Sequence, residues 1–600
     1  RWWLFILLVI PVVTVSGQDK EKRIDKIKQK NIAQRMMGSV RRKPEADTVF
    51  NFKSEEAFLP YRRKIVRQIL VERIGFERTV LDTAKTFKTF FAKAGNALHS
   101  TSREWVIRNN LFIKEGKPLN PYRLADNERY LRDLDFILDS RIFVYPVSPG
   151  SDSVDLLVVT RDVFSLGADI DPSGPEKYRF RVQNSNVLGM GQRLQYTGLV
   201  DANRTPPFGQ ELLYRKQNLF GTYLDGTIAY TQLNTGRSSG LENESAYLVR
   251  LNRPLFMPFA RWAGGAELSK NFSENTYSAH DTLFARYTYH WQDYWAGYSF
   301  GDHHNQTDAF VENRHRIFVS SRYYQIHYSQ YPQVRLNESA ELVYSNRSAW
   351  LTQVTFFRQD FYKTKFIYGF GRTEDVPYGY SISITGGTEK TGGSQRPYLG
   401  LQGTKTIANR GGNFISFDTK LASYFTTNGL RDELISLTSS YFSKLYPLRK
   451  WSVRHFAEMN YSRIGNRDEK YPFDINNSNG LDGFRSDSLR GDARLRARIQ
   501  AIIFTPVKLL GFNFALVPQF DYAFLASSRQ SVFAGDFFQG YSIGLRSRNE
   551  NLIFNTVEIR GYFFPKTVEG YDPVRVAITG NLRIKYPTSL VSPPSTVFGD

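Results

Sequence analysis

From about residue 176 to 588 the chain alternates apolar and polar positions in short runs, separated by clusters of Gly, Asn, Asp and Ser. QRLQYTGLV (192–200), GNFISFDTKLASYF (412–425), WSVRHFAEMNYSRI (451–464) and VRVAITGNLRIKY (574–586) are examples. A period of two places alternate side chains on opposite faces of a β-strand, and runs of about 9–11 residues suit strands that cross a bilayer. At roughly 25 residues per strand with its connection, the region predicts ~16 strands. The clearest run is ARLRARIQAII (493–503), where Arg494, Arg496 and Arg498 share one face and Leu495, Ala497, Ile499, Ala501 and Ile503 share the other. In a membrane barrel the apolar row faces lipid and the basic row lines the lumen, because a lipid-facing Arg near the midplane costs about 2–4 kcal/mol.

The pattern differs before residue 168. KIVRQILVERI (64–74) alternates like a strand, and residues 80–99 place Leu81, Ala84, Phe87, Phe91 and Ala94 at helical spacing. A second helix is predicted over 120–138, started by Asn120–Pro121, with Leu124, Tyr130, Leu131, Leu134 and Ile137 apolar. Strands over 141–147 and 154–164 follow, joined by the turn SPGSDS. Residues 61–167 therefore predict a small α/β domain ahead of a barrel at 176–588, with a tail at 589–600. Residues 18–60 are charged and lack apolar periodicity, which reads as a flexible or loosely helical lead-in. Residues 1–17 combine a basic start, an apolar run from Leu4 to Val15 and small residues before Gln18, the pattern of a secretory signal peptide. That run is shorter than the ~20 residues of a spanning helix.

Composition narrows the class. Mean hydropathy of −0.42 excludes a polytopic helical membrane protein. Yet 15% of residues are aromatic, with 46 Phe and 35 Tyr, which suits aromatic girdles around a polar lumen. There are no cysteines, so neither a disulfide framework nor a thiolate metal site is available. The net charge of +21 points toward anionic lipid headgroups, lumenal charge or acidic client segments, and export removes nucleic acid from the candidates. GRSSG (236–240) matches the spacing of a hydrolase nucleophile elbow, but its flanks read as a barrel loop instead of a strand and a helix. His303, His304 and Asp308 in DHHNQTD read as solvated loop residues and Arg490–Gly491–Asp492 as a chance tripeptide, so no enzyme activity, metal or cofactor is expected.

Several stretches carry a resemblance. LFIKEGKPLN (111–120), LRDLDFILDSRIFV (131–144) and DLLVVTRDVFSLG (155–167) resemble a POTRA domain, the periplasmic module of the Omp85 superfamily, with 75–105 as an insertion. NSNVLGMGQRLQYTG (184–198), YRKQNLFGTYLDG (214–226), residues 366–387 and residues 540–564 resemble that superfamily's barrel hairpins in order. Leu481, Asp482, Gly483 and Phe484 align with the family's lumenal-loop motif, Val-Arg-Gly-Phe/Tyr, with Asp482 at the arginine position. The family's wall acid matches Asp521, and since two opposed carboxylates repel, Arg485 is the expected substitute cation. The resemblance implies a mainly β protein: a transmembrane antiparallel barrel preceded by one POTRA-like domain in the periplasm. It also implies a role in inserting proteins into, or passing them across, a bacterial outer membrane. Outer-membrane lipids, client outer-membrane or exported proteins, and barrel-assembly subunits or periplasmic chaperones are the implied partners. A single POTRA-like unit points to a specialised or accessory member. A passive porin or solute channel, and a structural barrel without insertase activity, are the alternatives.

Overall fold

The computed structural model describes residues 51–74, 100–174, 176–237, 243–301, 314–333, 343–427, 429–467, 473–477, 480–486, 488–509, 511–527, 530–549, 556–568, 571–582 and 591–597. The signal-peptide pattern, most of the lead-in, the helical spacing at 80–99, the DHHNQTD stretch and part of GRSSG lie outside these residues.

One antiparallel sheet of 22 strands dominates the described residues. Two of its members, Phe52–Lys53 and Tyr446–Leu448, are short additions. The other twenty form a ring in chain order from Leu166–Gly174 to Val574–Leu582, with the last strand beside the first. The number is twenty among the described residues, where the spacing of the sequence predicts ~16. Tight connections account for the difference: Thr391 reaches Ser394 across Gly392 and Gly393, both at positive φ, and Thr426 pairs directly with Gly429. LGADIDPSG (166–174) is also a barrel strand, and not the end of the α/β domain. The seam therefore lies between 166–174 and 574–582, one strand ahead of residue 176, where the sequence pattern starts the barrel.

The two faces of the wall differ as the alternation requires. On strand Arg316–Gln330, Phe318, Ser320, Arg322, Tyr324, Ile326 and Tyr328 are buried, whereas Ile317 points outward and is exposed. Outward rows elsewhere are exposed and apolar, as with Trp350, Val354 and Phe356 or Ile382 and Ile384. Polar side chains inside and bare apolar ones outside invert the arrangement of a water-soluble protein and match a lipid-facing surface. No described helix is long and apolar enough to cross a membrane.

Ahead of the ring stands an α/β unit with element order β-α-α-β-β. Its strands are Ile65–Ile74, Ile137–Pro146 and Ser153–Asp162, and its helices are Glu104–Asn109 and Pro121–Asp133. Ser153–Asp162 is central, parallel to the first strand and antiparallel to the second. Asn120 caps the second helix, its side chain accepting from the Tyr122 and Arg123 amides, and Pro121 occupies the first turn where no amide is required. The helix ends at Asp133, earlier than the expected 138, because Ile137 enters the sheet. Leu124, Leu131, Leu134 and Ile137 are all buried in the core of this unit.

The end of the lead-in is not loose. Phe52–Lys53 pairs with Tyr362 and Lys363 of the barrel, and the short helix Glu56–Tyr61 buries Phe58. Backbone pairing and one apolar anchor fix a stretch whose charge pattern alone gave no periodicity.

Candidate functional site

The loop between strands Trp451–Gly465 and Ala493–Leu509 folds back against the lumenal face of the last strands. Its described residues Ile475, Leu481 and Phe484 are buried among Ala523, Leu525, Phe538, Tyr562 and Phe564. Phe484 meets the Phe564 ring edge-on at 5.4 Å. Gly483 makes the turn: its φ is +76°, and a Cβ there would lie 2.7 Å from the Tyr562 ring. The Gly483 carbonyl accepts from Arg575 at 2.6 Å, which ties the loop to the last strand of the ring. Leu481–Phe484 thus lies against the inner face of the wall.

Asp521 is the anchor on the wall, but its cation is Arg498 and not Arg485. The two face each other in register, and Arg498 Nε donates to Asp521 Oδ1 at 2.5 Å. Arg485 is exposed at the loop surface. Asp482 donates its backbone N–H to Asp521 Oδ2 at 3.2 Å, and the Gln519 amide stands between the two carboxylates, donating to Asp482 Oδ2 at 3.5 Å as well as to Asp521. From Asp521 a ladder of hydrogen bonds crosses the lumenal wall. Gln519 Nε2 donates to Asp521 at 2.7 Å, and Arg560 donates to Gln519 at 3.2 Å and to Glu558 at 2.6 Å. Arg546 completes it by donating to Glu558 at 2.8 Å.

All three members of the basic row face inward. Arg494 donates to the Asp474 carbonyl of the loop at 2.8 Å and lies over the Phe473 ring, and Arg496 pairs with Glu458. On the opposite row Ile499 is exposed, while Leu495 is packed with Ala526 and Val532 at the wall's rim. Asp492 pairs with Arg467 at 2.7 Å, and Asp487 lies outside the described residues.

At the other mouth the α/β unit inserts its helix Pro121–Asp133. Charged residues of DNER, unremarkable in the sequence, are buried there. Asp126 accepts from Arg314 at 3.2 Å, and Glu128 accepts from Lys363 at 2.7 Å and from Arg132 at 2.8 Å. Arg132 also grips both oxygens of Asp375, at 2.7 and 2.8 Å. Arg129 donates to the Phe256 carbonyl at 2.9 Å and stacks over Phe361. Burial pushes the Glu128 carboxyl up, but Lys363, Arg132 and Arg141 outweigh it and hold it down at about 2. Asp162 is the reverse case: burial raises it to about 7 despite the Ser102 amide at 2.5 Å.

Of the residues singled out in the sequence, Leu481–Phe484, Asp521 and the basic row are brought together around the inner loop. The docking network was missed because the barrel partners lie 127 to 243 residues further along the chain. The Arg498–Asp521 pair carried a usable signal, since both residues lie on inward rows of adjacent strands.

Two comparisons return nothing: no family model and no curated protein matches the chain. The architecture defines a class, a large antiparallel barrel with an apolar outer surface, an inward-folded loop and an α/β unit at one mouth. Among solved structures the chain is similar to BamA from Haemophilus ducreyi lacking POTRA domains 1–3, at 13% identity over 85% of this chain and 84% of that chain, TM-score 0.33. It is also similar to CdiB from Acinetobacter baumannii, at 11% over 95% and 88%, TM-score 0.42. CdiB from Escherichia coli matches at 10% over 94% and 99%, TM-score 0.41.

Proposed function

We propose that the chain is an outer-membrane barrel of the Omp85 type, assisting insertion of proteins into the outer membrane or their passage across it. The loop Leu481–Phe484, keyed to Asp521 inside the barrel and tied by Arg575 to its last strand, carries this reading. The β-α-α-β-β unit, read as one POTRA-like domain, lies on the periplasmic side, and the exposed apolar rows contact lipid.

The seam supplies the mechanism. A client strand entering lipid must have its backbone groups paired, since each unpaired group there costs several kcal/mol. Within the described residues Leu166–Gly174 and Val574–Leu582, the two strands at the seam, have 9 residues each. Arg347–Thr364 and Glu374–Thr391 have 18 each. The seam is the one junction of the ring that joins its first and last strands and not consecutive ones, so it is the place to part and offer an edge to an incoming strand. A passive solute channel is the competing reading, and the helix seated in one mouth counts against it.

The chain has no native cysteine, so a disulfide placed across the two seam strands tests the reading cleanly. Oxidation is expected to stop client insertion and reduction to restore it. Unchanged insertion with the seam locked contradicts the proposal.

A further inference from the structure

Residues 591–597, which come after the last described strand, lie inside the barrel. Val591 is packed among Ala263, Phe318, Phe357, Leu255 and Trp295, at the mouth occupied by the α/β unit. Six residues on, Val597 is packed with Tyr324, Ala349, Leu351, Tyr398 and Tyr424. On strand Arg316–Gln330 the contacts advance from Phe318 through Arg322 to Tyr324, also six residues and all on the inward row. The segment therefore rises along the lumenal wall, on the side away from the seam.

The wall is built to hold it. Asp293 grips Arg322 with both oxygens, at 2.8 and 2.9 Å, which aims the remaining guanidinium nitrogen at the Pro594 carbonyl, 3.1 Å away. The Tyr398 hydroxyl accepts from the Val597 amide at 2.9 Å. Pro594 and Thr596 are buried. Two main-chain contacts and two apolar sockets, at Val591 and Val597, bracket the Pro593–Pro594 pair, whose restricted backbone loses little entropy when held extended.

We propose that this stretch of wall is a docking groove for the chain's own residues 591–597, and that the segment is an intrinsic strap whose release opens that side of the lumen. The inference goes beyond the insertase reading and does not depend on it, since a solute channel would be gated in the same way.

In the membrane-embedded full chain, Val597→Cys with Ala349→Cys, treated with a short bismaleimide, is expected to give an intramolecular crosslink that heat unfolding beforehand abolishes. A labelled VSPPSTV peptide is expected to bind a chain truncated after residue 590 at least tenfold more tightly than the intact chain, with Tyr398→Phe weakening that binding several-fold. Conductance in planar bilayers should rise on truncation and stay at the intact level in the crosslinked pair. Absence of the crosslink, absence of peptide binding to the truncated chain, or equal conductance in all three forms overturns the proposal. Equal binding of a peptide carrying Val591→Asp and Val597→Asp also overturns it, and assigns the groove to any extended chain.

Discussion

Arg498 and Asp521 meet on adjacent inward rows and hold the inner loop through the Asp482 amide on Asp521 and the Gly480 carbonyl on Arg498. Removing either charge leaves the other facing the lumen without its partner, and the loop loses the same anchor in both cases. Arg498→Met and Asp521→Asn should each lower the temperature at which the native barrel converts to its unfolded form on a gel. The double variant should be no worse than the more damaging single one. Strictly additive losses would show that the two act separately. At the docking helix, Glu128→Ala strands Lys363 in a buried site while Arg132 keeps Asp375, a loss on the order of 3–5 kcal/mol. The pH dependences run in opposite directions. Glu128 is held below its unfolded value, so its stabilisation is full above about 4.5 and is lost as pH falls toward about 2. Asp162 is raised to about 7, so the folded α/β unit loses stability as pH rises from about 4 to about 7. Asp162→Asn should flatten that slope in a thermal-melt series, and an unchanged slope would place its origin elsewhere.

The inner loop owes its shape to a few positions. Gly483→Ala forces a left-handed backbone on a residue with a side chain, costing about 1–3 kcal/mol, and drives the new methyl into the Tyr562 ring. Limited proteolysis from the outer side should then cut within 473–492 at a rate several-fold above the native chain, while strand content by circular dichroism stays the same. An unaltered rate would detach Gly483 from loop docking. Leu481–Phe484 was singled out by its resemblance to a family motif, and not by periodicity or turn signals. Its cation was misplaced at Arg485 because neighbours in sequence are easier to pair by eye than neighbours across a ladder, where register decides. The helix Pro121–Asp133 was legible from its Asn120–Pro121 start, but its burial was not. DNER reads as a solvated face until Arg314, Lys363 and Asp375 arrive from barrel strands far along the chain.

Across the whole molecule, the alternation fixed the class of fold and the inward and outward rows. The strand number escaped it, because two-residue turns such as Gly392–Gly393 and the glycine-bounded LGADIDPSG give little hydrophobic signal. That extra strand matters, since it relocates the seam. The account's central claim is that clients pair at the seam between Leu166–Gly174 and Val574–Leu582. Val576 and Trp350 are both outward and exposed, one on a seam strand and the other on an 18-residue strand away from it. A photocrosslinking amino acid at each position, activated in cells during barrel synthesis, compares the two sites directly. The account predicts adducts with newly made barrel strands from Val576 and none above background from Trp350. Equal adducts from both positions, or none from Val576, would contradict it.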